Sequence, residues 1–248
     1  MQLAVGGHTD RGGRDHNEDA VDWLVDAQGR WALGLVADGM GGYAGGEVAS
    51  TLALEVFLYR LQDWLPEASG ADGDAVLERL LQSARAAHRR ILSEQQAQPQ
   101  LARMGTTLIC GFGWGDQMAL LHAGDSRCYR WRAGELARLT RDHTYVEVLR
   151  GSGELSEADI ANHPNKHILT RALGAPDDFD FSAAVHRSAP GDCYVLCSDG
   201  VSNALVAADW RRCLSQPVAP AVMARSLIEA AKQRGADDNV SAVVLTAR

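Results

Sequence analysis

Apolar positions along this chain fall into two kinds of run. Nearly continuous short runs cover 3–7, 20–25, 31–37, 106–114, 117–122, 128–132, 179–185, 193–197 and 240–246. Runs of that length, bounded by turn residues, predict strands. Stretches with apolar positions at helical spacing cover 46–64, 74–94, 156–162 and 220–234, and predict helices. The strands come in clusters with hairpin-sized gaps, and the long helices stand in pairs between clusters. A parallel doubly wound sheet needs regular alternation of strand and helix, so antiparallel sheets covered by helices are expected instead. Two stretches read as loops. The first, 65–73 (LPEASGADG), is expected to be a plain surface turn; the second, 140–173, is a long polar excursion with short helical pieces. Long insertions of that kind are often functional lids.

With 248 residues, 46% of them apolar, the chain can bury a sizeable core as a single domain spanning 1–248. Twenty-four lysines and arginines against 32 aspartates and glutamates leave a net charge of −8. Such a surface repels nucleic acid and anionic lipid, so neither is an expected partner. A phosphorylated substrate would also be repelled unless a local metal ion or arginine overcame the field. The cysteines are five, and Cys110, Cys193 and Cys197 lie in apolar runs. They read as reduced core residues of a cytoplasmic protein. Neither a targeting segment nor an apolar run of membrane-spanning length is read from the sequence.

The chemistry is carried by aspartates beside the apolar runs. Asp38-Gly39 follows 31–37, Gly124-Asp125-Ser126-Arg127 follows 117–123, Asp199-Gly200 follows 193–198, and Asp237-Asp238-Asn239 precedes 240–245. A fifth group, Asn17-Glu18-Asp19, precedes the strand at Ala20. Asp-Gly is a common turn dipeptide, so any one of these alone is more often a turn than a ligand. Several carboxylates meeting at strand ends would repel one another unless cations intervened. The donors are almost all oxygens, which suits Mg²⁺ or Mn²⁺ and not zinc; no EF-hand loop is present. Two such ions can acidify a water and stabilise an in-line displacement at phosphorus. Arg14, four residues before Glu18, could grip phosphate oxygens.

Taken in order, the motifs Thr9-Asp10, Arg14-Asp15-His16-Asn17-Glu18-Asp19, Val36-Ala37-Asp38-Gly39-Met40-Gly41-Gly42, Gly45-Gly46-Glu47, Met104-Gly105-Thr106-Thr107, Gly124-Asp125-Ser126-Arg127, Thr140-Arg141-Asp142-His143, Leu169-Thr170-Arg171-Ala172-Leu173-Gly174, Ser198-Asp199-Gly200 and Asp238-Asn239-Val240-Ser241 closely resemble the bacterial branch of the PP2C-type (PPM) serine/threonine phosphatases. The resemblance implies an α+β fold, a four-layer α-β-β-α sandwich with two mostly antiparallel sheets between helix pairs. It implies hydrolysis of phosphoserine or phosphothreonine by direct attack of a metal-activated water at a binuclear Mg²⁺ or Mn²⁺ centre. By the same resemblance, Asp38 bridges the two metals with the Gly39 carbonyl beside it. Asp199 and Asp238 complete the first metal site, Glu18 serves the second directly or through water, and Arg14 binds substrate phosphate. Asp125 joins Asp199 at a possible third, weaker metal. Residues of about 140–174 match a mobile flap subdomain. The implied partners are phosphorylated proteins, including a cognate Ser/Thr kinase, and the protein is expected to be a monomer.

Two positions depart from the family pattern. Met40 stands where eukaryotic members place a histidine proposed as general acid, which leaves a metal-bound water or a flap histidine as proton donor. The segment between Asp10 and Arg14 is one residue shorter than usual, so a tighter turn is expected there. Three rival readings compete with this assignment. A dinucleotide fingerprint over 39–44 would set Asp38 against a pyrophosphate, in a chain whose elements do not alternate. A cysteine nucleophile would need Cys-x5-Arg, which does not occur. A pseudophosphatase that only binds phosphoproteins would be expected to have lost ligands, yet Asp38, Asp199 and Asp238 are all present.

Overall fold

Alternation along the central strands decides the architecture. The computed structural model describes residues 1–41, 45–152, 159, 163–175 and 179–248. One sheet has the order β1 (Leu3–Asp10), β11 (Val240–Ala247), β10 (Cys193–Cys197), β7 (Arg127–Arg132), β8 (Glu135–Arg138). The other runs β2 (Asp19–Val25), β3 (Trp31–Met40), β5 (Leu108–Trp114), β6 (Gln117–Ala123), β9 (Ser182–Arg187), with β4 (Gly105–Thr106) paired to the end of β3. Every strand pair is antiparallel.

Successive side chains in a strand point to opposite faces. In β10, Tyr194 and Leu196 join Ile109, Val243 and Leu245 in an apolar layer between the two sheets. Cys193, Val195 and Cys197, on the opposite face, pack against the helices α4 (Asp199–Ala204), α5 (Ala207–Leu214) and α6 (Pro220–Gln233). In β3, Ala32 and Val36 face the inter-sheet layer while Leu33, Leu35 and Ala37 face α1 (Gly45–Leu61) and α2 (Gly73–Ala97). Strands buried on both faces need apolar residues at every position, which is why these runs read as continuous rather than alternating. The expected four-layer α-β-β-α sandwich is the observed fold.

Helix α1 buries Ala49, Ala53, Phe57 and Leu61, spaced by four, and α2 buries Val76, Leu80, Ala84, Ala87 and Ile91. Truncating a fully buried side chain such as Phe57 costs roughly 3–5 kcal/mol. Asp72 caps α2, accepting from the amides of Asp74 (2.9 Å) and Ala75 (3.2 Å).

Several sequence expectations are corrected. Residues 65–73 are not a plain surface turn. Leu65–Gly70 forms a 3₁₀ helix that buries Leu65 and Ala68, and Pro66, lacking an amide hydrogen, is compatible with its first turn but not with a continued α1. The strand expected over 31–37 runs on through Asp38 and Gly39 to Met40, so Asp38 lies within a strand. The strand expected over 106–114 divides at Thr107, whose Oγ1 takes the Asp38 amide (3.0 Å) in place of a ladder partner. Phe179 and Phe181 precede β9 and pack together against the outer core, their rings 5.0 Å apart. Strand β8 and helix α4 are too short to carry a pattern, and α5, though amphipathic with Trp210, Cys213 and Leu214 on its buried face, spans only eight residues.

Within 140–174 the root is buried: Thr140, Asp142, His143 and Thr144 are all inside. Helix α3 (Tyr145–Ser152) follows, and the return pairs Leu169 with Thr144 and Leu173 with Thr106. Apart from Asp159, the helix expected over 156–162 lies outside the described residues, as do Gly42, Tyr43 and Ala44 of the dinucleotide-like pattern. All five cysteines are free and buried, and burial pushes the thiols of Cys193 and Cys197 up to about 12. No helix among the described residues is long and apolar enough to cross a membrane.

Candidate metal centre

The site is built on a close crossing of backbones. In the β2–β3 ladder Asp19 stands opposite Asp38. The Gly39 amide donates to the Glu18 carbonyl (3.2 Å), which also accepts the Ser50 hydroxyl of α1 (2.6 Å). A Cβ on Gly39 would lie 2.2 Å from the Gly46 carbonyl oxygen, and one on Gly46 would lie 2.5 Å from Glu18 Oε2. Only glycine at both positions lets α1 start against the acids. The Asp38 carbonyl accepts from the Thr107 amide and the Thr106 hydroxyl, both at 2.9 Å. The Thr107 hydroxyl continues to Ser126 (2.7 Å), which ties the Asp125 turn to Asp38.

The expected tight turn between Asp10 and Arg14 is present. Asp10 Oδ1 accepts the Gly12 amide (2.9 Å), and Gly12 adopts φ +56°, where a side chain is strained. A Cβ there would also lie 2.0 Å from the Asp238 carbonyl oxygen, so the turn presses directly on the segment bearing Asp238.

Asn239 joins these parts. Its Oδ1 accepts the Glu18 amide (2.8 Å), and its Nδ2 donates to the carbonyls of Arg11 (2.9 Å) and His16 (2.8 Å). Ser198 Oγ donates to Asp19 Oδ2 (2.8 Å) and accepts the Ser241 amide (3.1 Å). Asn17 Nδ2 donates to the Thr9 hydroxyl, itself bonded to Ser241. Asp19, Ser198, Thr107 and Asn239 were given no role by sequence reasoning. Their signal was membership of the same motifs as the acids.

All seven residues singled out from the sequence line one cleft of about 1180 Å³: Arg14, Glu18, Asp38, Gly39, Asp125, Asp199 and Asp238. They come from five separate stretches of chain. Burial, together with the charges of Asp19, Asp199, Asp125 and Asp238, holds the Asp38 carboxyl well above its usual range. Burial lifts Asp19 to about 7 against its bonds from Ser241 and Ser198. Burial and then Asp199 lift Asp125 to about 7. Asp199 is raised by burial and Asp238, and Glu18 chiefly by burial. Arg14 Nη2 lies 2.9 Å from Asp238 Oδ2, and its Nε donates to the Asp237 carbonyl (3.2 Å). Asp19 Oδ1 is buried and has no hydrogen-bond partner among the described residues. Nor do any three acids, histidines or cysteines among the described residues form a ready-made cage; the carboxylates ring an open cleft.

A family model described as protein phosphatase 2C matches residues 7–240. The chain belongs to the protein phosphatase 2C family. It is 36% identical over 245 residues to the serine/threonine protein phosphatase PstP of Mycobacterium tuberculosis, covering 98% of this chain. The chain spans about half of that relative's length, 45% of it. Identity to the serine/threonine phosphatase stp of Listeria innocua is 31%, covering 96% of this chain and 93% of the relative. A solved structure of the PstP catalytic domain in complex with two manganese ions superposes with a TM-score of 0.81 at 35% identity, covering 98% of this chain and 97% of that one. In this protein phosphatase 2C chain, Met40 lines the cleft beside Gly39, and His167 and Leu169 of the 140–174 segment reach its edge. His163 does not line the cleft; its ring lies 6.0 Å from that of Tyr145.

Proposed function

We propose that this chain is a metal-dependent protein phosphatase that hydrolyses phosphoserine and phosphothreonine by direct attack of water, without a phosphoenzyme. The observation that carries this reading is the convergence of acids from distant segments on one cleft, their mutual repulsion met by few cations. The donor set fits a hard divalent ion, because every predicted ligand offers oxygen and Asp19 Oδ1 is buried without a partner. Two Mn²⁺ or Mg²⁺ ions would supply an acidified water and neutralise charge developing on the phosphoryl oxygens. Asp38 would bridge them with the Gly39 carbonyl beside it. Asp199 and Asp238 would complete the first site, Glu18 the second, and Asp125 with Asp199 a weaker third.

Arg14 orients the phosphate through its fork of donors, and to do so it turns from Asp238, a carboxylate that would hold a metal ion. Met40 has no proton to give, so the leaving oxygen takes its proton from a metal-bound water or from His167, the histidine of the 140–174 segment that lines the cleft. The 140–174 segment acts as the flap beside the site. The substrates are phosphorylated proteins of the cytoplasm, the opposing enzyme is a bacterial Ser/Thr kinase, and the phosphatase works as a monomer.

Turnover of p-nitrophenyl phosphate with and without Mn²⁺ tests the assignment. Activity should require the metal, be abolished reversibly by EDTA, and fall roughly a hundredfold or more in Asp38→Ala. Metal-independent turnover, or a near-normal Asp38→Ala, would overturn it. A folded protein with no turnover at all would favour the phosphoprotein-binding alternative.

A further inference from the structure

A second cavity of about 660 Å³ adjoins the acidic cleft, and Met40, His167 and Leu169 line both. Its floor is apolar and firmly built. Met104, Ala172 and Leu173 are buried there, and Leu173 is paired with Thr106 through two backbone hydrogen bonds of 2.9 and 3.0 Å. The polar groups around the floor satisfy one another. Gln95 Nε2 donates to the carbonyls of Met104 (2.6 Å) and Gly174 (2.9 Å), and the Gly174 amide donates to His88 Nδ1 (3.1 Å). The floor is therefore a closed base with its hydrogen bonds met, and the accessible apolar surface lies at the mouth.

The rim is different. Arg103 and Arg171 stand on it, and among the described residues lining the cavity there is no acid. On a chain of net charge −8, two arginines at one rim run against the overall field. Arg103 is exposed and makes no ion pair or hydrogen bond through its side chain among the described residues. Arg171 is steadied by one bond, from Nη1 to the Asp180 carbonyl (2.8 Å). Ile168 beside them is 51% exposed, an apolar residue facing solvent at the mouth.

We propose that this cavity holds the stretch of a phosphoprotein next to the phosphorylated residue, with one apolar side chain against Ile168 and Leu169 and an acidic side chain paired with Arg103 and Arg171. The inference rests on the phosphatase reading and adds the class of sequence that it prefers. Three features favour this occupant over others. The cavity is continuous with the cleft where the phosphate would sit, its mouth carries the exposed apolar side chain of Ile168, and two arginines stand among the described residues of its rim. An extended peptide advances about 3.3 Å per residue with side chains alternating in direction, so it can set an apolar and an acidic residue on different walls.

The test compares phosphoserine peptides that differ in one flanking residue, glutamate or lysine, placed in turn at each nearby position on either side. With Mn²⁺ present, the glutamate peptide should be preferred by about fivefold at one position, a magnitude set by two solvated ion pairs. The difference should lie in KM rather than kcat and shrink with added salt. In the double variant Arg103→Glu/Arg171→Glu the preference should invert. Arg103→Glu alone, at an exposed position that packing does not depend on, should at least abolish it. Equal turnover of both peptides at every position, or a preference unchanged in the variants, would overturn the inference. Failure of the wild type to hydrolyse even p-nitrophenyl phosphate would instead remove the phosphatase reading, and the docking site with it.

Discussion

Asp19 and Asp38 face each other across the β2–β3 ladder at the buried end of the cleft. Two carboxyls cannot both ionise cheaply at such a site. The fold thus holds a fixed conflict that a cation or a shared proton must resolve, and Asp19 Oδ1 has no hydrogen-bond partner among the described residues.

Replacing Asp19 by Asn should expose that conflict. The amide keeps the shape and can still accept from Ser198, while one buried charge is removed, so chelated protein should gain about 1 kcal/mol. Metal-dependent turnover should fall. Thermal unfolding in EDTA beside Mn²⁺ titration of activity checks both; a destabilised Asp19→Asn with full turnover contradicts the placement.

Arg14→Ala should separate stability from binding. The Arg14–Asp238 pair is solvent-exposed, its side chains 59% and 40% accessible, so its loss should alter stability by no more than about 1 kcal/mol. KM for a phosphopeptide should rise roughly tenfold. Steady-state kinetics with a melting curve on the same sample distinguish the outcomes.

Arg127 connects the root of the 140–174 segment to Asp199. Its guanidinium is bidentate to Asp142, with Nη2 at 2.8 Å, and bonds Ser202 (2.9 Å) and Asn203 (3.2 Å); Asn203 in turn donates to Asp199 (3.2 Å). Asp142 also pairs with Arg138, so it would not be wholly abandoned in Arg127→Ala. The variant should lose about 2–3 kcal/mol by denaturant unfolding and bind Mn²⁺ more weakly, whereas Arg127→Lys should restore only part of each because the fork is lost.

The His122 and His143 rings stack 4.5 Å apart inside the root of the same segment. His143 Nδ1 accepts the Gly124 amide (3.2 Å) and its Nε2 meets Ser182 (2.9 Å), while His122 Nε2 meets the Arg141 carbonyl (2.9 Å). Burial, then His122 and Arg171, bring His143 down to about 3. Burial also lowers His122, opposed by the Arg141 carbonyl and Asp142 and aided by Arg171 and Arg138. A histidine whose folded value is depressed adds stability above its unfolded value, near 6.5, and that stability is lost as pH falls towards the folded value. Unfolding free energy should therefore decline from about pH 6.5 downward, by about 2 kcal/mol from His143 at pH 4.5. His143→Gln should flatten that slope, which denaturant titrations across the range would measure.

Much of this was legible in the sequence because the apolar runs are long enough to be covered on both faces and the acids sit in recognisable motifs beside them. Less legible was anything that depends on contact between distant segments. Nothing local in Asn239 says that it accepts the Glu18 amide, and Leu65 reads as a loop residue until the core it fills is known. Asp19 was visible as one acid among three, but its burial opposite Asp38 follows from strand register, which periodicity alone does not supply.

The strand order also bears on how the protein is made. β11 is synthesised after every other strand, yet it lies between β1 and β10, and Asn239 at its threshold anchors Glu18. On the ribosome, the first sheet must wait with the strand between β1 and β10 missing, and the acids of β2 and β3 have no fixed partner until that strand emerges. The cleft is thus completed only after β11 has been made, so a chain interrupted before that strand has no assembled centre.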